Sequence, residues 1–143
     1  MTNPASEDIA QILVGAGVGT VGGASGWRVS ISREATAPDT CVTVYDNGGS
    51  TPHPNWSLDE LDIQVQVRGD REGYRAAYDK VLEVRDVLLG RPTENVNTTQ
   101  YVGIIMRGDF NFIQYDDNER PVFTLNFIVW REPVASGFRQ AFS

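Results

Sequence analysis

Leu61-Asp62-Ile63-Gln64-Val65-Gln66-Val67-Arg68 is the stretch on which the fold turns. Apolar and polar residues alternate with a period of two. Leu61, Ile63, Val65 and Val67 therefore share one face of a strand, and Asp62, Gln64, Gln66 and Arg68 share the other. The apolar face needs a cover, and the sequence supplies one immediately. After Gly69 and Asp70, the residues Tyr74, Ala77, Tyr78, Val81, Val84 and Leu88 recur at helical spacing, opposite Arg75, Asp79, Glu83 and Asp86. This pattern predicts one main helix over residues 70–89, capped by Asp70, ended by Gly90 and Pro92, and packed on the preceding strand.

Upstream, Ser6 followed by Glu7 and Asp8, with Ile9, Ile12, Leu13 and Ala16 at helical spacing, predicts a short N-terminal helix capped by Ser6. The glycine-rich run from Gly15 to Gly26 reads as a flexible connector. Trp27, Val29 and Ile31 then alternate with Arg28, Ser30 and Ser32. A second apolar run from Cys41 to Tyr45 follows a turn at Pro38 and Asp39, and the pair is expected to form a hairpin. Asp46 to Glu60 has no period and reads as a long loop carrying Trp56. Downstream, strands are expected over residues 100–106, 111–115 and 121–131, with Asp116-Asp117-Asn118-Glu119 as the last turn. The expected fold class is α+β: a mixed, mostly antiparallel sheet of about six strands, the main helix on one face and a short N-terminal helix. Residues 1–143 are expected to form a single domain, with 132–143 an extended C-terminal tail.

Composition narrows the function. With 41% hydrophobic and 22% charged residues, a chain of 143 residues can bury a core of ordinary size. Twelve basic against nineteen acidic residues give a net charge of −7, which repels phosphate. DNA could pass such a surface without binding it. One cysteine and one histidine can assemble neither an internal disulfide nor a Cys/His zinc set, so no metal or cofactor is expected. The longest apolar stretch, Ile9 to Val21, is too short and too polar to cross a bilayer, and the N-terminus lacks the basic start of a secretory signal. Cytoplasmic assembly and no membrane partner are expected.

The motifs with the spacing of chemical sites have simpler readings. Gly17-Val18-Gly19-Thr20-Val21-Gly22 has the spacing of a dinucleotide fingerprint, but a helix precedes it and a strand follows, the reverse of what a pyrophosphate site needs. Asp116, Asp117 and Glu119 lack the Asp or Asn and the Gly that a calcium loop would place where Arg120 and Pro121 stand. His53 lies between two prolines with no nucleophile placed beside it, and Cys41 opens a strand as a small core residue. Arg-Gly-Asp at residues 68–70 and 107–109 falls at strand ends. The sequence therefore predicts no catalytic residue. Trp56, Phe138, Arg139 and Phe142, large or charged side chains on a loop and a tail, are the candidate protein-interface residues.

Several of these segments, in their order and spacing, resemble a known family. Val42-Thr43-Val44-Tyr45-Asp46-Asn47-Gly48-Gly49, Ile63 to Gly69, the helix from Tyr78 to Leu89, Tyr101-Val102-Gly103-Ile104, and Asp117 to Phe123 with Asn126-Phe127 are similar to the minor capsid or tail terminator proteins of long-tailed, siphovirus-like bacteriophages. The resemblance runs from Ser6 to Arg131. It implies a structural virion protein at the head–tail interface, assembled in the host cytoplasm. Such a protein forms a homo-oligomeric ring, expected to be a hexamer, that caps the tail tube protein, stops its polymerisation and docks the head connector or stopper. The lumen would pass DNA without binding it specifically. A connector or stopper is the alternative within the same assembly, and a small-molecule-binding or hydrolytic α/β domain is the alternative outside it. The family has no catalytic residues to transfer.

Overall fold

The computed structural model describes residues 3–21, 26–52 and 58–132. Two helices and eight strands follow one another as α1 (Ala5–Gly15), β1 (Thr20–Val21), β2 (Arg28–Ile31), β3 (Cys41–Gly49), β4 (Asp59–Arg68), α2 (Tyr74–Leu88), β5 (Glu94–Val96), β6 (Thr99–Met106), β7 (Asn111–Tyr115) and β8 (Pro121–Arg131). The strands form one mixed sheet in the order β1-β2-β3-β4-β8-β6-β5, with β7 also paired to β8. The sheet is thus larger than the six strands expected, because β1 and β5 join it. The fold is α+β.

The alternating strand and the helix stripe pair as predicted. Ile63, Val65 and Val67 of β4 line up with Phe127, Leu125 and Phe123 of β8, and Val65 and Val67 also with Val44 and Val42 of β3. Ala77, Val81, Val84 and Leu88 of α2 close over that face, and all of these side chains are buried in one cluster. Ile9 and Leu13 of α1 join the cluster, so both helices cover the same face of the sheet. Burying each such Val, Leu, Ile or Phe contributes about 1.5–3 kcal/mol.

Several local expectations are corrected. β2 and β3 are not a hairpin: they run parallel, Arg28 opposite Cys41 and Ile31 opposite Val44. The connection between them, 32–40, returns along the sheet in fewer residues than a parallel crossover normally takes. What holds it is Arg68, which is 2% exposed. Its Nε donates to the Asp39 carbonyl (2.9 Å), Nη2 to those of Ala35 (2.6 Å) and Pro38 (2.9 Å), and Nη1 to Glu34 (2.7 Å). Arg120 adds bonds to the Thr36 carbonyl and to Asp39.

The long loop expected over Asp46–Glu60 is shorter than that, because β3 extends to Gly49 and β4 starts at Asp59. Gly49 lies so close to the Glu60 carbonyl that a Cβ there would sit 2.3 Å from it. The Gly15–Gly26 connector contains buried Val18 and strand β1.

The helix caps also differ. α2 starts at Tyr74, with Gly73 before it, and Asp70 closes a turn through its carbonyl instead of capping through its side chain. Ser6 lies inside the first turn of α1, where its N–H and hydroxyl donate to the two oxygens of Asp46 on β3. A carboxylate from another element thus occupies the positive end of the helix.

At the other end of the sheet, Asn97 and Thr98, both at positive φ, form the two-residue turn that joins β5 to β6. The Asn97 amide donates to Asp8 and Gln11 of α1, each at 2.7 Å.

Candidate protein interfaces

Among the described residues, the face of the sheet away from the helices has no covering element beyond the 32–40 connection. Down its centre lie half-buried Gln64, Gln66, Thr124 and Asn126, and Gln64 bonds to Asn126 at 3.3 Å. Farther along, Trp130 donates to Glu60 (3.1 Å) and Arg107 pairs with Asp62 (3.0 Å). Polar residues alternate out on this face because water or another polar surface meets it.

The two lateral ends of the sheet are more distinctive. Among the described residues β7 hydrogen-bonds only to β8, so its outer backbone edge has no strand partner there, and every residue in it is exposed. It is nevertheless apolar: Phe112 is 40%, Ile113 51% and Tyr115 46% exposed. The packing behind it accounts for its position. Buried Phe123 of β8 meets Phe112 at 5.3 Å and Tyr74 of α2 at 5.2 Å, and Phe112 meets Tyr115 at 5.4 Å, edge to face. The turn that follows is fixed by Asp116, whose carboxylate accepts the backbone N–H groups of Asn118 and Arg120 and the Arg120 guanidinium. Burial works against its ionisation, but these donors outweigh it and hold its carboxyl below the usual range. Asp117 and Glu119 stand exposed beside it, with Glu72 and Arg71 on the adjacent turn.

At the opposite end, β1 pairs only with β2 among the described residues, and Val21 is 73% exposed. Beside it runs a groove of about 580 Å³ bordered by Val21, Val29 and Ile31 together with Arg28 and Arg33. Arg28 donates Nη1 to the Ala37 carbonyl, but its Nε has no partner among the described residues.

A single row of paired residues joins the two ends: Val21, Val29, Val42, Val67, Phe123, Phe112.

Inside the molecule, the O–H of Tyr101 donates to fully buried Asp8, and Arg131 donates to the Tyr101 oxygen (3.3 Å) and the Asn3 carbonyl (3.0 Å). Burial, then the bond to Asp8, raises the Tyr101 pKa well above its ordinary value. The network fastens α1 to β6 and β8. Its polar atoms are occupied by one another, which suits a structural role.

Among the described residues, no group of three His, Cys, Asp or Glu side chains is placed to hold a metal ion. No helix among them is long and apolar enough to cross a membrane. Cys41 is buried. The predicted interface residues Trp56, Phe138, Arg139 and Phe142 lie outside the described residues, as does His53. The exposed β7 edge was not among the sequence candidates. Its signal is the apolar pair Phe112-Ile113, adjacent where a half-buried strand would alternate.

Residues 12–132 match the family described as bacteriophage tail terminator protein. This chain belongs to that family. Comparison with curated proteins finds no match. Among solved structures, the tail terminator chain superposes on a chain from the virion of a native gene transfer agent particle with a TM-score of 0.65. The two are 18% identical, and the match covers 90% of this chain and 94% of the other, so what they share is the fold. A second solved chain gives a TM-score of 0.47 at 15% identity over 71% of this chain and 77% of its own. The resemblance seen in the sequence is therefore to the right family, and this tail terminator chain is a phage structural tail protein.

Proposed function

We propose that this chain forms a ring, of six copies, on the last ring of the tail tube, that it stops tube growth there, and that its free side docks the head connector or stopper. The family match over residues 12–132 is the observation that carries this reading. The surface is compatible with it: a sheet with unpaired edges at both ends can make the head-to-tail contacts that close a ring. A terminator differs from a tube subunit in presenting a second annular face that accepts no further tube ring. Trp56 and the tail residues Phe138, Arg139 and Phe142 are proposed contacts for tube or connector. The net charge of −7 suits a lumen through which DNA slides without sticking. A connector or stopper role uses the same physics one level higher, and it is distinguished by what accumulates in the protein's absence.

The test is addition of the purified protein to polymerising tail tube subunits, followed by measurement of tube length. A capping protein shortens the distribution in proportion to its concentration and sits at one tube end. Unchanged lengths with no end-bound density would refute the reading.

A further inference from the structure

This inference rests on the ring reading and specifies the contact that closes it. The geometry points to β7 of one copy adding as an antiparallel strand to β1 of the next, so that a continuous sheet runs from subunit to subunit.

Direction is the first argument. β7 is antiparallel to β8, β8 to β4 and β4 to β3, while β3, β2 and β1 are mutually parallel. β7 therefore runs opposite to β1. A neighbour displaced along the sheet row, with its strands kept in line, presents β1 antiparallel to β7, the more stable pairing. Both are edges, and both lie on the same row of paired residues. Val21 and Phe112 project from the helix-covered face, so an extended sheet would bring their apolar surfaces to the same side.

Charge is the second argument. Copies of a chain with net charge −7 repel one another in general, so a contact between copies needs local complementarity. Here it exists. Beyond β7 stand exposed Asp70, Glu72, Asp117 and Glu119 with Arg71, and Arg120 of the same turn is taken up by Asp116 and Asp39; among the described residues Glu72, Asp117 and Glu119 are in no ion pair. Beside β1, Arg28 and Arg33 have no carboxylate partner among the described residues, while the nearby Glu34 and Asp39 are engaged by Arg68 and Arg120. A heterologous contact of this kind uses the β1 edge and the β7 edge once in every copy, so both are paired throughout when the ring closes.

Thr20 and Gln114 occupy the same row on the open face and are exposed, so they accept cysteine without touching the core. The experiment places Thr20→Cys and Gln114→Cys together in a Cys41→Ala chain, lets it assemble into particles, and treats these with a short thiol cross-linker. A ladder of cross-linked species from dimer to the full ring is expected from the double variant and none from either single variant. Arg28→Glu should reduce the ladder about tenfold, and Asp117→Lys with Glu119→Lys should restore it.

A dimer from one single variant would mean a two-fold contact between like edges, overturning the proposal. No ladder from the double variant, in particles where the ring is visible, would overturn it while leaving the terminator reading intact. Particles with a tail but without this chain would overturn both.

Discussion

Arg68 shows how much of this fold depends on single side chains. A guanidinium at 2% exposure is tolerated because three carbonyls of the 32–40 connection and Glu34 take up its donors. Arg68→Met leaves the partly buried Glu34 and the carbonyls of Ala35 and Pro38 without their donor, so a loss of about 1–3 kcal/mol is expected in chemical denaturation. Arg68→Lys should recover little, because an ammonium cannot span the same fork of acceptors. Tyr101 makes a second prediction, about pH. Its folded-state pKa lies above its ordinary 10.0, so the folded state holds the phenol proton more tightly than the unfolded state does. The resulting stability is complete below pH about 10 and is lost as pH rises beyond it. Tyr101→Phe should flatten that alkaline limb and cost about 1.5–3 kcal/mol at neutral pH, where Asp8 loses a donor. Asp116 has the opposite sign. Its lowered pKa gives stability that is present at neutral pH and fades as pH falls below the usual carboxylate range, and Asp116→Asn should remove this acid sensitivity.

At the scale of the element, α1 depends on β3. Asp46→Ala removes the carboxylate that accepts from Ser6 at the helix start, and a cost of about 1 kcal/mol is expected in thermal or chemical unfolding. This contact also marks the limit of sequence reading. Period told which residues of β4 and α2 face one another, because alternation and the helical stripe are local properties. It could not tell that the capping carboxylate lies 40 residues from Ser6. Nor could it tell that β2 and β3 run parallel. Alternation fixes which side chains share a face and says nothing of strand direction, and here the direction is set by Arg68 and Arg120, distant in the chain from the connection they hold. β1 and β5 are too short, at two and three residues, to show any period.

For the whole molecule, one histidine and one cysteine are the reason the sequence predicts no catalytic residue, and the contact surface was only partly legible. Trp56, Phe138, Arg139 and Phe142 were singled out for residue type on unpatterned segments. The β7 edge emerges only when the sheet order shows which strand has no outer neighbour. Ile113, half exposed on that edge, separates assembly from stability. Ile113→Lys should change unfolding free energy by no more than about 0.5 kcal/mol yet abolish ring assembly, read by the melting curve and by light scattering of the assembled protein. The central claim is that this chain ends the tail. Its most direct test is electron microscopy of particles assembled without it. The account predicts overlong, headless tubes beside filled heads; tails of normal length lying unattached, or intact particles, would contradict it.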